Sequence, residues 1–292
     1  MASVALAIPH TPWVPERVAS LLRLQEGLGI LGFSADQVPI SRDPWPLFHY
    51  REFRERESNS EWSRKLWTWG LETGADYLLQ LQDDVIVAPR FWDHLSAMLA
   101  AVPDQIIGLE AAHPWGPRLA ASGVRWYTTA DMLIGVGYVI PHAVLDEFLR
   151  WRASSLVEDW QTDEDMLIAC FCMATGRRIW HPIPTIIDHN VELASNYGHE
   201  NHSHRRPSVT WKDLAMYCPM VPVDGTAQEK ADLTNGYLSE PGNWSGKWRR
   251  SGTPHLGRFY DHTPALCRRI VRGFGEEQFW RAKRDIWRGL VT

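Results

Sequence analysis

The chain of 292 residues is 45% apolar and 22% charged, with 30 Lys and Arg against 35 Asp and Glu for a formal net charge of −5. This ordinary globular mix excludes wholesale disorder and any global basic signature, and its length allows one large domain or two small ones. No run of 18 apolar residues occurs, so a membrane-spanning helix is not expected.

The first thirteen residues are apolar but lack a basic leader region, and Pro9 and Pro12 cut them short. Val4-Ala-Leu-Ala-Ile8 therefore reads as a buried strand rather than a secretory signal, closed by Pro9-His10-Thr11. A helix is predicted from about Glu16, with Val18, Leu21, Leu22 and Leu24 on one side. Residues 36–58 contain three prolines and a charged run, and no element is assigned there. Ser58-Asn-Ser-Glu61 has capping-box spacing, so a helix should begin there, run through Trp67 and Leu71 and stop at Gly74.

From Asp76 to Val87 an apolar strand is interrupted by Asp83 and Asp84. A helix over Phe91 to Ala101 and a strand over Gln105 to Leu109 follow. Met132 to Ile140 reads as a strand carrying Gly135 and Gly137, and Ala143 to Trp151 as a helix. Asp163 to Thr175 is helical and stops at Gly176, and Ile179 to Ile187 is extended and broken by Pro182 and Pro184. Beyond Pro219 turn dipeptides dominate until a last helix over Gly275 to Leu290. Buried strands alternating with helices predict an α/β domain with a mostly parallel sheet, over 1–218, followed by a loop-rich and helical extension over 219–292.

The four cysteines are too few and too scattered for a disulfide framework. Reduced core thiols and a cytoplasmic setting are expected, in which the two glycosylation-type triplets at Asn201 and Asn243 carry little meaning. The charge is uneven. Residues 246–292 hold eleven Lys and Arg against four acids, or +7, which leaves −12 for the first 245 residues. Sixteen tryptophans are also more than usual and call for a packing or a binding explanation.

Two constellations carry chemistry. Gln82-Asp83-Asp84 ends an apolar strand, and open α/β sheets place ligands at the carboxyl ends of their strands. Hard carboxylate oxygens there suit Mg²⁺ or Mn²⁺, which in turn bind phosphate; the alternative is a strand-to-helix turn with solvated acids, Asp84 capping the helix. Glu164 and Asp165 occupy the first turn of a helix, where the dipole favours acids and where a carboxylate can take a proton from a hydroxyl. His189 follows a strand in Ile186-Ile-Asp-His-Asn190.

The order of these segments resembles the GT-A glycosyltransferases, particularly their large inverting family, over roughly residues 4–205. Pro9-His10-Thr11 matches the turn that holds the nucleotide in such enzymes. The stretch from Ser63-Arg64-Lys65 to Gln82-Asp83-Asp84 looks like the helix preceding their metal motif, and Glu164-Asp165 resembles the Glu-Asp helix whose Asp is the catalytic base. His189, with Ser195 downstream, resembles the segment that closes the metal and diphosphate site. The resemblance implies a GT-A-like, Rossmann-like sheet flanked by helices, and transfer of a hexosyl group from a nucleotide-diphosphate sugar, UDP being the nucleotide expected. It implies Asp165 as base with Glu164 beside it. Asp84 and His189, assisted by Asp83, would hold Mn²⁺ or Mg²⁺. Pro9, His10, Thr11, Arg64, Asp83, Asp131 and Gly137 would line the donor site, although Gly137 is equally explained by tight strand packing. Gln82 departs from the usual acidic first position of the metal motif, which puts metal dependence in doubt. Arg64, Arg205 and Arg206 are candidate partners of the leaving diphosphate, and an inverting outcome is favoured.

His189, His199, His202 and His204 crowd together, yet no His-Glu-x-x-His motif supports zinc catalysis. In 246–292, Trp248, Phe259, Tyr260, Phe274, Phe279, Trp280 and Trp287 are interleaved with the cations, a pattern that suits nucleic acid. A hydroxymethylated base in DNA, a modification associated with bacteriophages, is the leading acceptor. An amphipathic helix on an anionic membrane, with envelope glycan or glycolipid as acceptor, and plain packing against the acidic body are the alternatives. A reading from another class is a non-catalytic nucleic-acid-binding or virion protein on a decayed transferase fold.

Overall fold

The structure, a computed structural model, describes residues 2–32, 40–42, 45–54, 59–110, 126–129, 135–154, 164–190 and 193. Strand β1 (Val4–Pro9) has Leu6 and Ile8 facing one apolar cluster and Ala5 and Ala7 facing another, the two-sided burial expected of an interior strand. Helix α1 (Pro15–Gly27) follows, then β2 (Ile40–Arg42), β3 (Trp45–Phe53), α2 (Asn59–Glu72), β4 (Tyr77–Leu81) and β5 (Val85–Val87). The second half contains α3 (Phe91–Ala101), β6 (Ile106–Gly108), β7 (Trp126–Thr129), β8 (Gly137–Pro141), α4 (His142–Ser154), α5 (Glu164–Thr175), β9 (Ile179–Pro182) and β10 (Ile187–His189).

Among the described residues the main sheet has eight strands in the order β2-β3-β1-β4-β8-β6-β9-β7. Five of them (β1, β3, β4, β6 and β9) run the same way and three (β2, β7 and β8) oppose them, so the α/β sheet is mostly parallel, as expected. Helices α1 and α3 cover one face, packing Leu21, Leu24, Leu28, Phe91 and Leu95 on Leu6, Ile8, Leu79 and Leu81. Helices α2, α4 and α5 cover the other. A small antiparallel ribbon, β5 with β10, stands beside the main sheet.

Packing accounts for several of the tryptophans. Trp67 is fully buried, edge-on to Phe148 at 4.8 Å between ring centroids, an arrangement whose truncation costs about 3–5 kcal/mol. Its indole N–H donates to the Tyr138 hydroxyl at 2.9 Å, Tyr138 donates to Gln80 Oε1, and Gln80 Nε2 donates to the Gly135 carbonyl at 3.1 Å. That chain satisfies a glutamine which would otherwise be a costly polar group inside β4. Gly74 and Gly176 lie just past α2 and α5 with φ of 67° and 73°, left-handed values that end a helix cheaply only at glycine.

Some elements differ from expectation. The buried residues of α1 are Arg17, Ser20, Leu21, Leu24 and Gln25, with Leu28 buried just past its end, and Leu22 points to solvent with half its surface exposed. Residues 76–87 form two strands in two sheets, because the chain turns at Gln82. The unassigned 36–58 stretch contains β2 and β3, which pair as a hairpin, and β7 lies where no element is expected. The strand expected over 132–140 is described at 137–141. Cys172 is a buried free thiol, as expected of a core cysteine. The boundary at 218, the extension 219–292 and the helix expected over 275–290 lie outside the described residues. Among the described residues no helix is long and apolar enough to cross a membrane.

Candidate functional site

From β1 the chain passes through α1 to β3 on one side, and from β4 through α3 to β6 on the other, so the strand order reverses between β1 and β4. In open α/β sheets such a reversal opens a crevice at the carboxyl ends of the two strands, where ligands bind. The residues after β1 are His10 and Thr11, and those after β4 are Gln82, Asp83 and Asp84. The turn across Gln82–Val85 is closed by the Val85 N–H donating to the Gln82 carbonyl at 3.2 Å, while the Gln82 N–H is held by the Val136 carbonyl at 2.9 Å. Aspartates suit the middle of such a turn, and here Asp83 also reaches β1 and Asp84 also reaches β10.

Asp83 ties the end of β4 to the end of β1. Its Oδ2 accepts from the Thr11 N–H at 2.9 Å and from His10 Nδ1 at 3.0 Å, and its Oδ1 accepts from the Arg17 guanidinium at 2.6 Å. Asp84 Oδ2 lies 2.8 Å from the same Arg17 nitrogen and 2.8 Å from His189 Nε2. His189 reaches it because β10 pairs with β5 in the register His189–Val85, and the Asn190 N–H bonds the Asp84 carbonyl at 2.8 Å. The result is a continuous chain His10–Asp83–Arg17–Asp84–His189, drawn from β1, α1, the 82–85 turn and β10. Both carboxylates are almost fully buried, at 2% and 1% exposed, as is Arg17 at 5%. Ionised carboxylates only accept, so each imidazole presents an N–H to its aspartate, Nδ1–H in His10 and Nε2–H in His189. Chemically this is a dry anchor that holds two imidazoles, His10 buried and His189 partly exposed.

The structure thus gathers Asp83, Asp84, His10, Thr11 and His189. Pro9 is the last residue of β1, in register with Phe53 of β3. Asp165 sits half-buried on the first turn of α5. Because α5 leads through Gly176 to the amino end of β9, which runs parallel to β6, that first turn opens at the carboxyl edge. It belongs to the layer of α2, α4 and α5, whereas Arg17 belongs to the opposite layer. Arg64 is exposed on α2. Gly137 opens β8 against Ile187 and Leu81. An added Cβ would come within 2.4 Å of Ile187 Cδ1, so close packing accounts for this glycine. Asp131, Ser195, Arg205, Arg206 and the loop histidines lie outside the described residues, as does the side chain of Glu164.

Arg17 was missed in the sequence. A signal exists: it sits one turn before Leu21 on the apolar stripe of α1, and a cation on that face requires a buried anion.

A divalent ion fits this donor set poorly. Among the described residues no group of three His, Cys, Asp or Glu side chains converges. Asp83 is committed to β1 and α1, and Asp84 Oδ2 is already shared by a guanidinium and by His189. A dication about 4 Å from that guanidinium would be repelled by about 8 kcal/mol at an effective dielectric of about 20.

No protein-family model and no curated protein matches the chain. Among solved structures, the A197 protein of STIV matches at a TM-score of 0.36 and 13% identity, covering 62% of this chain and 81% of that one. A glycosyltransferase involved in the glycosylation of the major capsid of PBCV-1 matches at a TM-score of 0.34 and 14% identity, covering 58% and 75%.

Proposed function

We propose that the chain transfers a glycosyl group from a nucleotide-diphosphate sugar to an acceptor hydroxyl. The observation that supports this reading is the carboxylate turn clamped across the ends of β1 and β4, where the strand order reverses. The order of the sequence segments supplies the reaction class. In this scheme the anomeric C–O bond breaks and the diphosphate leaves with the bonding pair. The acceptor oxygen bonds to the anomeric carbon, and its proton passes to the Asp165 carboxylate. Attack from the side opposite the leaving group inverts the anomeric centre. His189 and Arg64 are the described side chains best suited to meet the departing phosphates. No step passes through Mn²⁺ or Mg²⁺. The acceptor favoured by the cations and aromatics of 246–292 is a hydroxymethylated base in DNA, whose 5-substituent projects into the major groove.

The test is a thermal-shift panel of nucleotide sugars, since a ligand bound to the native state raises the melting temperature by mass action. At least one donor should do so, and Asp165→Asn should keep that shift while losing transfer. A panel without any shift refutes the donor class, and turnover by Asp165→Asn refutes the base. Labelled sugar should appear on hydroxymethylated DNA and not on plain DNA. Label on neither removes the DNA acceptor and favours a glycan.

A further inference from the structure

We propose that Arg17 is the resident cation of the Asp83–Asp84 pair, a positioning residue standing where a divalent ion would otherwise bind, so that the pair and the two imidazoles it holds are organised without metal. The geometry points there from three directions. One Arg17 nitrogen lies 2.6 Å from Asp83 Oδ1 and 2.8 Å from Asp84 Oδ2, so it bridges the two carboxylates as a shared ion would. All three side chains are at most 6% exposed, which leaves no path for a hydrated ion to join them without displacing the guanidinium. Two of the carboxylate oxygens have further partners: Asp83 Oδ2 holds the Thr11 N–H and His10, and Asp84 Oδ2 also holds His189.

The origin of Arg17 matters too. It comes from α1, between Pro15 at the helix start and Leu21, Leu24 and Leu28 docked on the sheet. Its backbone is therefore set by the core, and the guanidinium is delivered to the turn when β1, α1 and β4 assemble. A cation supplied by the fold is always present, whereas a bound ion depends on supply. Arg17 acts on a ligand only through His10, Thr11 and His189, whose orientation it fixes by fixing the carboxylates. This inference rests on the transfer reading only for the identity of the ligand.

The test titrates Mn²⁺ into the full chain after EDTA treatment, reading free Mn²⁺ by electron paramagnetic resonance and stability by melting. Wild type and Arg17→Lys should take up no Mn²⁺ in the micromolar range, and EDTA should leave their melting temperatures unchanged. Arg17→Met should melt roughly 6–20 °C lower, the scale for breaking a buried ion pair in a domain of this size, and Mn²⁺ should bind it at least tenfold tighter than wild type and restore part of the loss. Micromolar uptake of one Mn²⁺ by wild type that Asp84→Asn abolishes would overturn the proposal. So would an Arg17→Met protein that melts like wild type, or one that melts lower and gains nothing from Mn²⁺. If Arg17→Met does not fold, the wild-type and Arg17→Lys titrations decide in the same terms. A protein that binds no nucleotide sugar leaves these readings intact, so the two proposals fail separately.

Discussion

Asp83→Ala tests whether the turn at 82–85 is clamped to β1 by the contacts described. The substitution removes three accepted hydrogen bonds, from Arg17 at 2.6 Å, Thr11 N–H at 2.9 Å and His10 at 3.0 Å. Removing one partner of a buried ion pair costs about 3–5 kcal/mol, and each orphaned buried donor adds about 1–3 kcal/mol. Arg17 keeps Asp84 at 2.8 Å, which offsets part of that sum, so a net loss of about 3–5 kcal/mol is expected. At about 2–4 °C per kcal/mol the melting temperature should fall by roughly 6–20 °C. Urea unfolding of wild type, Asp83→Ala, Arg17→Met and the double variant completes a cycle, whose coupling should be at least about 1 kcal/mol because the two side chains touch. A loss below about 1 kcal/mol for Asp83→Ala, or additive single effects, would refute the clamp.

Three other outcomes follow from the packing and the electrostatics. Gly137→Ala should destabilise by about 1–3 kcal/mol, because its Cβ would press on Ile187 and Leu81; an unchanged urea midpoint would show that β10 yields freely. Asp76 accepts from the Ser3 backbone N–H at 2.6 Å, which holds its carboxyl below the ordinary range. A depressed native value stabilises above the unfolded value near pH 4 and is lost as pH falls through the native one. Because solvent screens the group, Asp76→Asn should cost less than about 1 kcal/mol at pH 7, with the gap closing below about pH 4; a gap constant to pH 2 would refute the assignment. Burial pushes the Cys172 thiol up to about 12, so iodoacetamide at pH 8 should modify it only after unfolding, as read by mass spectrometry of its peptide. Modification in the native protein at the rate of a free thiol would contradict its burial.

Local pattern was enough to delimit most helices and to single out Asp83, Asp84 and His189. Apolar periodicity and the stops at Gly74 and Gly176 give α2, α3, α4 and α5 their limits to within a few residues, because helical hydrogen bonds close within four residues. Asp83, Asp84 and His189 also stand out locally, since acids and an imidazole at the ends of apolar strands are costly without partners. The partners themselves are another matter. Arg17 lies 66 residues from Asp83 and His189 lies 105 residues from Asp84, and no periodicity spans such distances. The break of 76–87 into two strands, the opposed direction of β8 and the shelter of Gly137 under Ile187 likewise arise only when distant segments compete for the same surface. Residue type could say that two buried carboxylates need a cation, whereas assembly of α1 against β1 and β4 selects a guanidinium to fill that need.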